Sequence, residues 1–361
     1  MYDFIIIGGG ISGIQAANKL KHQNILLLEK NDRLGGRIFS KKIGNNWIEF
    51  GAKWIHGRPP HFPVSVNYIY EPYIKTFIQK FNIVDLKFSE KEIISLFEKV
   101  KFYPLMKKDL CHNFQEQSLT QREIKLLDII LSEDYGEHIC SLSSTNNKYK
   151  SFGKNKRVTN GLKNILQTDF PYLLNQEVIK IEKGKIITKN KTYETKNIIL
   201  AIPLNIVKNN FSYVLSSKKK EILNKMKMGK VKVLVMIFEK IFWDKNITYW
   251  FSQKYPNLVF VNGLNNILYI HEYSSDILTK TNFMKYLKYF FPNYLKPKNV
   301  FFQDWNKEAG GSWTFHVSNI FKEDIKRLQQ PENNIYLVGE YMSENRFGTI
   351  DGAYNSSRYF L

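Results

Sequence analysis

DFIIIGGGISGIQAANKL, residues 3–20, read together with LLLEKNDRLGGRI, residues 26–38, decides the fold of this 361-residue chain. Asp3 to Ile7 is a short apolar run, the length of a strand buried on both faces. It runs into Gly8, Gly10 and Gly13 at the spacing G-x-G-x-x-G, and apolar positions from Ile14 to Leu20 recur as on a helix. A second apolar run, Ile25 to Leu28, ends in Glu29. Strand, glycine turn, helix and second strand make a dinucleotide cradle. Gly8 permits the tight turn, Gly10 lets a pyrophosphate reach the backbone, and Gly13 lets the helix pack closely on the strand. The helix N-terminus offers free N–H groups and a positive dipole end to phosphate. Glu29 stands where a carboxylate accepts hydrogen bonds from an adenosine ribose, and an acid there disfavours a 2′-phosphate. FAD or NAD is therefore expected over NADP.

The next motifs choose between those two. Arg33, Gly35, Gly36 and Arg37 belong to R-L-G-G-R, and Gly51-Ala-Lys-Trp-Ile-His-Gly57 follows. These runs resemble the second and third signatures of the flavin-dependent amine oxidase family, whose cofactor is FAD. Near the other end, Trp305, Gly311-Ser-Trp-Thr-Phe315, Ile335-Tyr-Leu-Val-Gly-Glu340 and Gly348-Thr-Ile-Asp-Gly-Ala-Tyr-Asn-Ser-Ser357 stand in that family's order. The resemblance spans nearly the whole chain. It implies an α/β fold with a Rossmann-type FAD-binding domain, discontinuous in sequence, and a smaller α+β substrate domain. The expected division gives residues 1–63, 142–215 and 298–361 to FAD, and 64–141 and 216–297 to the substrate.

Bulk composition is that of a globular protein with ample core: 43% hydrophobic and 15% aromatic residues leave no run long enough to span a bilayer. The first strand starts at the N-terminus with no charged-then-apolar leader before it, so a cytoplasmic chain without a membrane anchor is expected. Cys111 and Cys140 are too few for a disulfide framework and read as inert thiols of a reducing compartment. No metal site is expected. Against 33 acidic residues stand 53 basic ones, for a net charge of +20. The lysines are scattered, so the charge reads as a solvated surface, with nucleic acid only a nonspecific basic-surface partner. Oligomeric state is open.

Pro59, Pro60 and Pro63 close the first cofactor block, and from about Val64 to Cys140 the pattern turns helical. Ser89 with Glu92 and Thr120 with Glu123 have capping-box spacing. Ile93, Leu96, Phe97 and Val100 share one helical face, as do Ile124, Leu127 and Leu131. Glu177 to Ile181 and Lys185 to Thr188 read as a hairpin, and Ile198 to Pro203 as a buried strand. Ser216 to Lys227 reads as a helix and Val231 to Phe238 as a strong strand. A second helix, opening at Gly352-Ala353, is expected to aim its N-terminus at the flavin.

The resemblance also implies the chemistry. An amine's C–H bond delivers a hydride equivalent to flavin N5, the imine hydrolyses, and O2 reoxidises the flavin to give hydrogen peroxide. Gly8, Gly10, Gly13, Glu29, Gly36, Arg37, Gly51, Val178, Trp305, Gly339, Glu340, Gly348, Thr349 and Ala353 would contact the cofactor. Relatives place a lysine beside N5, on the strand before an F-W pair that Phe242-Trp243 matches. Lys232 is the candidate, with Lys230 a lesser one, although the family's spacing counted back from Trp243 lands on Val233. Strand parity matters, because a one-residue slip turns a side chain to the opposite face. Trp313 takes the place of an aromatic wall of the amine cage. Ser312 stands where covalently flavinylated members have cysteine, so FAD is expected to be noncovalent. Thr349 and His56 resemble the polyamine-oxidising branch. A small amine and O2 are the expected partners. An acidic mouth, for which Glu133, Asp134 and Glu137 are candidates, would offset the positive field. The alternatives are an L-amino-acid oxidase, with Arg346 to hold the substrate carboxylate, or a binding protein that keeps FAD only to fold.

Overall fold

The computed structural model describes residues 1–56, 67–70, 73–75, 78–79, 81–85, 88–100, 109–143, 155–344 and 346–359. Gly57, Pro59, Pro60 and Pro63, singled out above, lie outside the described residues.

One sheet is built around the opening strand. Tyr2–Ile7 pairs parallel with Ile25–Leu28 on one side and with Thr192–Leu200 on the other. Tyr172–Leu173 extends the first side, and Ile335–Leu337 pairs parallel with the second half of Thr192–Leu200. The first half of that nine-residue strand takes the Val178–Glu182 and Lys185–Thr188 hairpin instead. Ile5, Ile6, Leu27, Ile199 and Leu200 are almost wholly buried, as strands covered on both faces require. The Ile11–Leu20 helix packs on this sheet through Gly13: a Cβ there would sit 2.0 Å from the Gly8 carbonyl oxygen.

A second, largely antiparallel sheet runs in the spatial order Asn299–Asp304, Val231–Ile237, Ile267–Tyr273, Leu258–Asn262, Tyr249–Phe251, Phe81–Ile83. Asn299–Asp304 therefore pairs inside the second sheet, although the expected division placed it with the FAD segments. Along Val231–Ile237, Val231, Val233, Val235 and Ile237 enter the core shared with the helical segment. Leu234 and Met236 enter the core that also holds the Phe283–Phe290 helix. Both faces are covered, so every residue of this strand is buried.

The segment 64–140 is less helical than its pattern suggests. Tyr68–Tyr70, Tyr73–Lys75, Ile78–Gln79 and Phe81–Ile83 are short strands. The run YIYEPYIKTFIQKFNI is rich in aromatic and β-branched residues, which favour extended backbone. Helices follow at Glu90–Lys99, Leu110–Glu116 and Gln121–Tyr135. Both expected capping boxes form, with Ser89 and Glu92 reciprocally bonded, and Thr120 and Glu123 likewise. Cys111 and Cys140 are joined in a disulfide, which corrects the expectation of two separate thiols. No helix among the described residues is long and apolar enough to cross a membrane.

Candidate active site

The cavity of about 350 Å3 lies between the two sheets and opens where the parallel strands end, at Ile7, Leu28 and Ala201. Gly8 turns the chain there with φ +107°, and a Cβ on it would meet the Ala201 carbonyl oxygen at 2.5 Å. A Cβ on Gly10 would meet nothing within 4 Å, so that face of the turn is open to the cavity. Gly10 also caps the Ile11–Leu20 helix without any side-chain bond, leaving its first N–H groups to the cavity. The R-L-G-G-R loop closes over this turn: Gly35 N donates to Gly9 O at 2.7 Å, and Gly36 takes φ +55° beside Gly10. Glu29 is buried, with Oε2 accepting from Gly9 N at 2.7 Å and Oε1 from Asn31 N at 3.0 Å. Its two oxygens are thus fixed in direction at the cavity wall.

Arg37 and Glu340 form the second fixed point. Arg37 Nη1 lies 3.0 Å from Glu340 Oε1 and also donates to the Ser312 carbonyl. Glu340, almost fully buried, accepts further bonds from Thr314 Oγ1 at 2.8 Å and Gly348 N at 2.7 Å. Every lone-pair direction of a buried carboxylate that lacks a partner costs free energy, and here they converge. Gly51 must be glycine, because a Cβ would lie 2.0 Å from Arg37 O and 2.8 Å from the Trp305 ring. Trp305 Nε1 donates to Phe50 O at 2.9 Å, which holds that ring in place.

Of the expected site residues, Gly8, Gly10, Glu29, Gly36, Arg37, Gly51, His56, Val178, Trp305, Trp313, Gly339, Glu340, Gly348, Thr349 and Ala353 line this one cavity. Gly13 does not; it serves the helix–strand contact described above. Thr349 caps the Ile350–Asn355 helix, accepting from Gly352 N at 3.1 Å and donating to Arg346 O at 2.6 Å, so the helix begins earlier than Gly352. His56 Nδ1 is 2.9 Å from Asn155 Oδ1. Trp313 Nε1 donates to Asp134 O at 3.0 Å, and Ser312 Oγ donates to Gly229 O at 2.9 Å.

Lys232 is not on the cavity wall; Val231 and Val233 are. The strand's alternation sends Lys232 to the face of Leu234 and Met236, where Nζ is 3.2 Å from Glu272 Oε2 and 2.6 Å from Asp276 Oδ1. Burial opposes its charge, but these two carboxylates outweigh it and its pKa is raised. Arg346 likewise lies off the cavity wall, with Nη1 paired to Asp351 and near the His56 carbonyl.

Sequence reasoning passed over Lys53, which lies inside the WIHG-bearing motif and on the cavity wall. It is buried, and its Nζ lies 2.7 Å from His271 Nε2. His271, Trp54, Tyr249, Glu133 and Asp134 line the same wall. Glu133 and Asp134 come from the end of the Gln121–Tyr135 helix, so two of the three candidate mouth acids do reach the cavity. Glu137 does not line it, and its carboxylate accepts from His138 N. A lone lysine in an otherwise apolar motif was the one signal available, and it pointed nowhere until a second sheet stood opposite.

The model of the flavin containing amine oxidoreductase family matches residues 145–359, and that of the NAD(P)-binding Rossmann-like domain matches residues 6–67. The chain belongs to the flavin containing amine oxidoreductases. It is 22% identical to polyamine oxidase 3 of Oryza sativa subsp. japonica, over 98% of this chain and 87% of that protein. It is 24% identical to pseudooxynicotine dehydrogenase of a Pseudomonas species, over 99% of this chain and 85% of that one. Its fold is similar to cyclohexylamine oxidase from Brevibacterium oxydans, with a TM-score of 0.79 at 16% identity, covering 99% and 97% of the two chains. FAD is its cofactor, and FAD-dependent oxidation of amines is its class of reaction.

Proposed function

We propose that this enzyme oxidises a polyamine-like cationic amine to an imine, with noncovalent FAD held along the cavity and O2 as the final oxidant. The carrying observation is that Glu133 and Asp134 share a cavity wall with Trp313 and Tyr249, so acids and aromatic faces meet where a cation would bind. That local acidity offsets the +20 of the whole chain.

The residues fit FAD. The open face of Gly10 and the uncapped helix N-terminus suit the pyrophosphate, and the buried, oriented carboxylate of Glu29 suits ribose hydroxyls. Arg37, Glu340, Gly51 and Trp305 would hold the flavin end, joined by Gly36, Gly339, Gly348, Thr349 and Ala353, with Val178 at the adenine. Ser312 Oγ donates to a backbone carbonyl, in keeping with a noncovalent cofactor. When bound, FAD supplies the hydride-accepting chemistry. The protein's own tasks are to orient the amine, keep water away and manage its proton. The division into a discontinuous FAD domain and a substrate domain belongs to the same proposal.

The test is anaerobic mixing of the FAD-loaded protein with spermine, spermidine, an acetylated polyamine, a simple monoamine and several L-amino acids. Bleaching of the oxidised flavin band by the polyamines is the expected result. Bleaching by amino acids alone would replace the polyamine reading with the amino-acid one. No bleaching by any of them would overturn the proposed substrate class.

A further inference from the structure

Lys53, His271, Tyr273 and Glu133 form a continuous buried chain that begins at the cavity wall. Lys53 Nζ is 2.7 Å from His271 Nε2, His271 Nδ1 is 2.9 Å from the Tyr273 hydroxyl, and that hydroxyl is 3.3 Å from Glu133 Oε1. The members come from three separate places: the segment after Gly51, the Ile267–Tyr273 strand, and the Gln121–Tyr135 helix. Burial, with the charges of Lys53 and Arg157, holds His271 well below its ordinary pKa, so the ring is neutral. Only one set of proton positions then satisfies the chain. Nε2 accepts from Lys53, Nδ1–H donates to the tyrosine oxygen, and the tyrosine hydroxyl donates to Glu133.

Burial brings Lys53 down from 10.5 to about 7, Arg157 pushes in the same direction, and Glu133 and Glu49 resist it. Its other near neighbours are the rings of Tyr269 and Trp54, with Nζ 4.6 Å and 5.7 Å from their centroids. Such an amine carries a usable lone pair at neutral pH. An amine substrate must lose its ammonium proton before its C–H bond can break, because an ammonium nitrogen has no lone pair to stabilise the imine. In water, an alkylamine of pKa about 10 is neutral only about one time in a thousand at pH 7.

We infer that Lys53 is the proton acceptor for the incoming substrate, R–NH3+ and Lys53–NH2 giving R–NH2 and Lys53–NH3+, with His271, Tyr273 and Glu133 positioned to stabilise the cation formed. The inference rests on the amine-oxidising reading. One N–H bond breaks, one forms, and no electrons are transferred. The burial that depresses Lys53 depresses the substrate nitrogen too, so the transfer runs between partners of similar basicity.

The test compares the wild type, Lys53→Met and Lys53→Arg, each checked for FAD content. The first readout is the rate of anaerobic flavin bleaching at saturating amine against pH. The wild type should rise through a limb near pH 7. Both variants should lose that limb, fall about 100-fold at pH 7, and recover as pH approaches the amine's own pKa. Arginine keeps a cation but accepts no proton, so it separates charge from proton transfer. The second readout needs no turnover: the Kd, by calorimetry, of a tertiary alkylamine lacking an α C–H bond. In the wild type it should weaken about tenfold per unit below pH 7, as Lys53 charges, and in Lys53→Met it should be flat from pH 6 to 8. A limb retained in either variant, or a Kd profile unchanged in Lys53→Met, would overturn the inference. A raised KM for amino acids with the limb intact would do so as well, making Lys53 a carboxylate anchor. A wild type bleached by no amine would remove the substrate reading and this inference together.

Discussion

At the scale of single residues, two lysines show how position decides chemistry. Lys232 and Lys53 are both buried, yet one is flanked by two carboxylates and the other faces a neutral histidine. Lys232 is therefore held as an ammonium, while Lys53 sits near the midpoint of its titration at neutral pH. Buried charge without close compensation costs stability. The sign follows from proton counts. With a folded pKa of about 7 and an ordinary value of 10.5, the unfolded chain binds the extra proton between those two pH values. Stability therefore rises with pH across that window, and the penalty is complete below it. Lys53→Met should raise Tm at pH 6, by an amount of order a few kcal/mol, and by less at pH 9. Thermal unfolding at the two pH values checks this, and an equal shift at both would refute it. Glu29, Arg37 and Glu340 were legible in the sequence because their motifs tie them to fixed backbone positions. Lys53 was not, because what makes it unusual is the His271 ring, 218 residues away along the chain.

At the scale of elements, the Gln121–Tyr135 helix brings acids to the cavity. Its start is set locally, by the Thr120–Glu123 capping box, and its end by Gly136 at φ +69°. Ile124, Leu127 and Leu131 bury the face that the sequence pattern marked. The last turn then points Glu133 and Asp134 inward. The Cys111–Cys140 disulfide ties the flanks of this helix together across 29 residues. In the loop-entropy picture, closing a loop of that size stabilises by about 3–4 kcal/mol. Reduction, or Cys111→Ser with Cys140→Ser, should lower Tm by several degrees. It should also weaken amine binding more than FAD binding, because the acids move and the Gly10 cradle does not. Loss of FAD before loss of amine affinity would contradict this assignment. The short strands between Tyr68 and Ile83 were misread as helix because an apolar run without strict alternation leaves the period undecided.

At the scale of the whole molecule, a cationic substrate must approach a chain of net charge +20. Beyond about 10 Å at 0.1 M salt the protein's field is screened, so added salt removes repulsion at long range while leaving contacts with Glu133 and Asp134 largely intact. The expected result is a kcat/KM for a polyamine that rises with ionic strength from low to physiological salt. A steady fall over that range would mean that acids around the mouth dominate the approach. The cavity owes its composition to the same architecture: one sheet supplies the glycine turn and Glu29, the other supplies Val231, Val233, Tyr249 and His271.

By itself, the sequence determined the dinucleotide-binding unit, the family and the cofactor, because these rest on short-range demands. A turn at positive φ needs Gly8, a close helix–strand contact needs Gly13, and a buried arginine needs an acid such as Glu340. Tertiary structure alone decided which lysine faces the cavity and that the two cysteines meet. It also decided that helix acids line the wall opposite the flavin motifs. Those facts depend on strand parity and on contacts between segments far apart in the chain. A one-residue offset, invisible in composition or motif, reverses the face to which a side chain points.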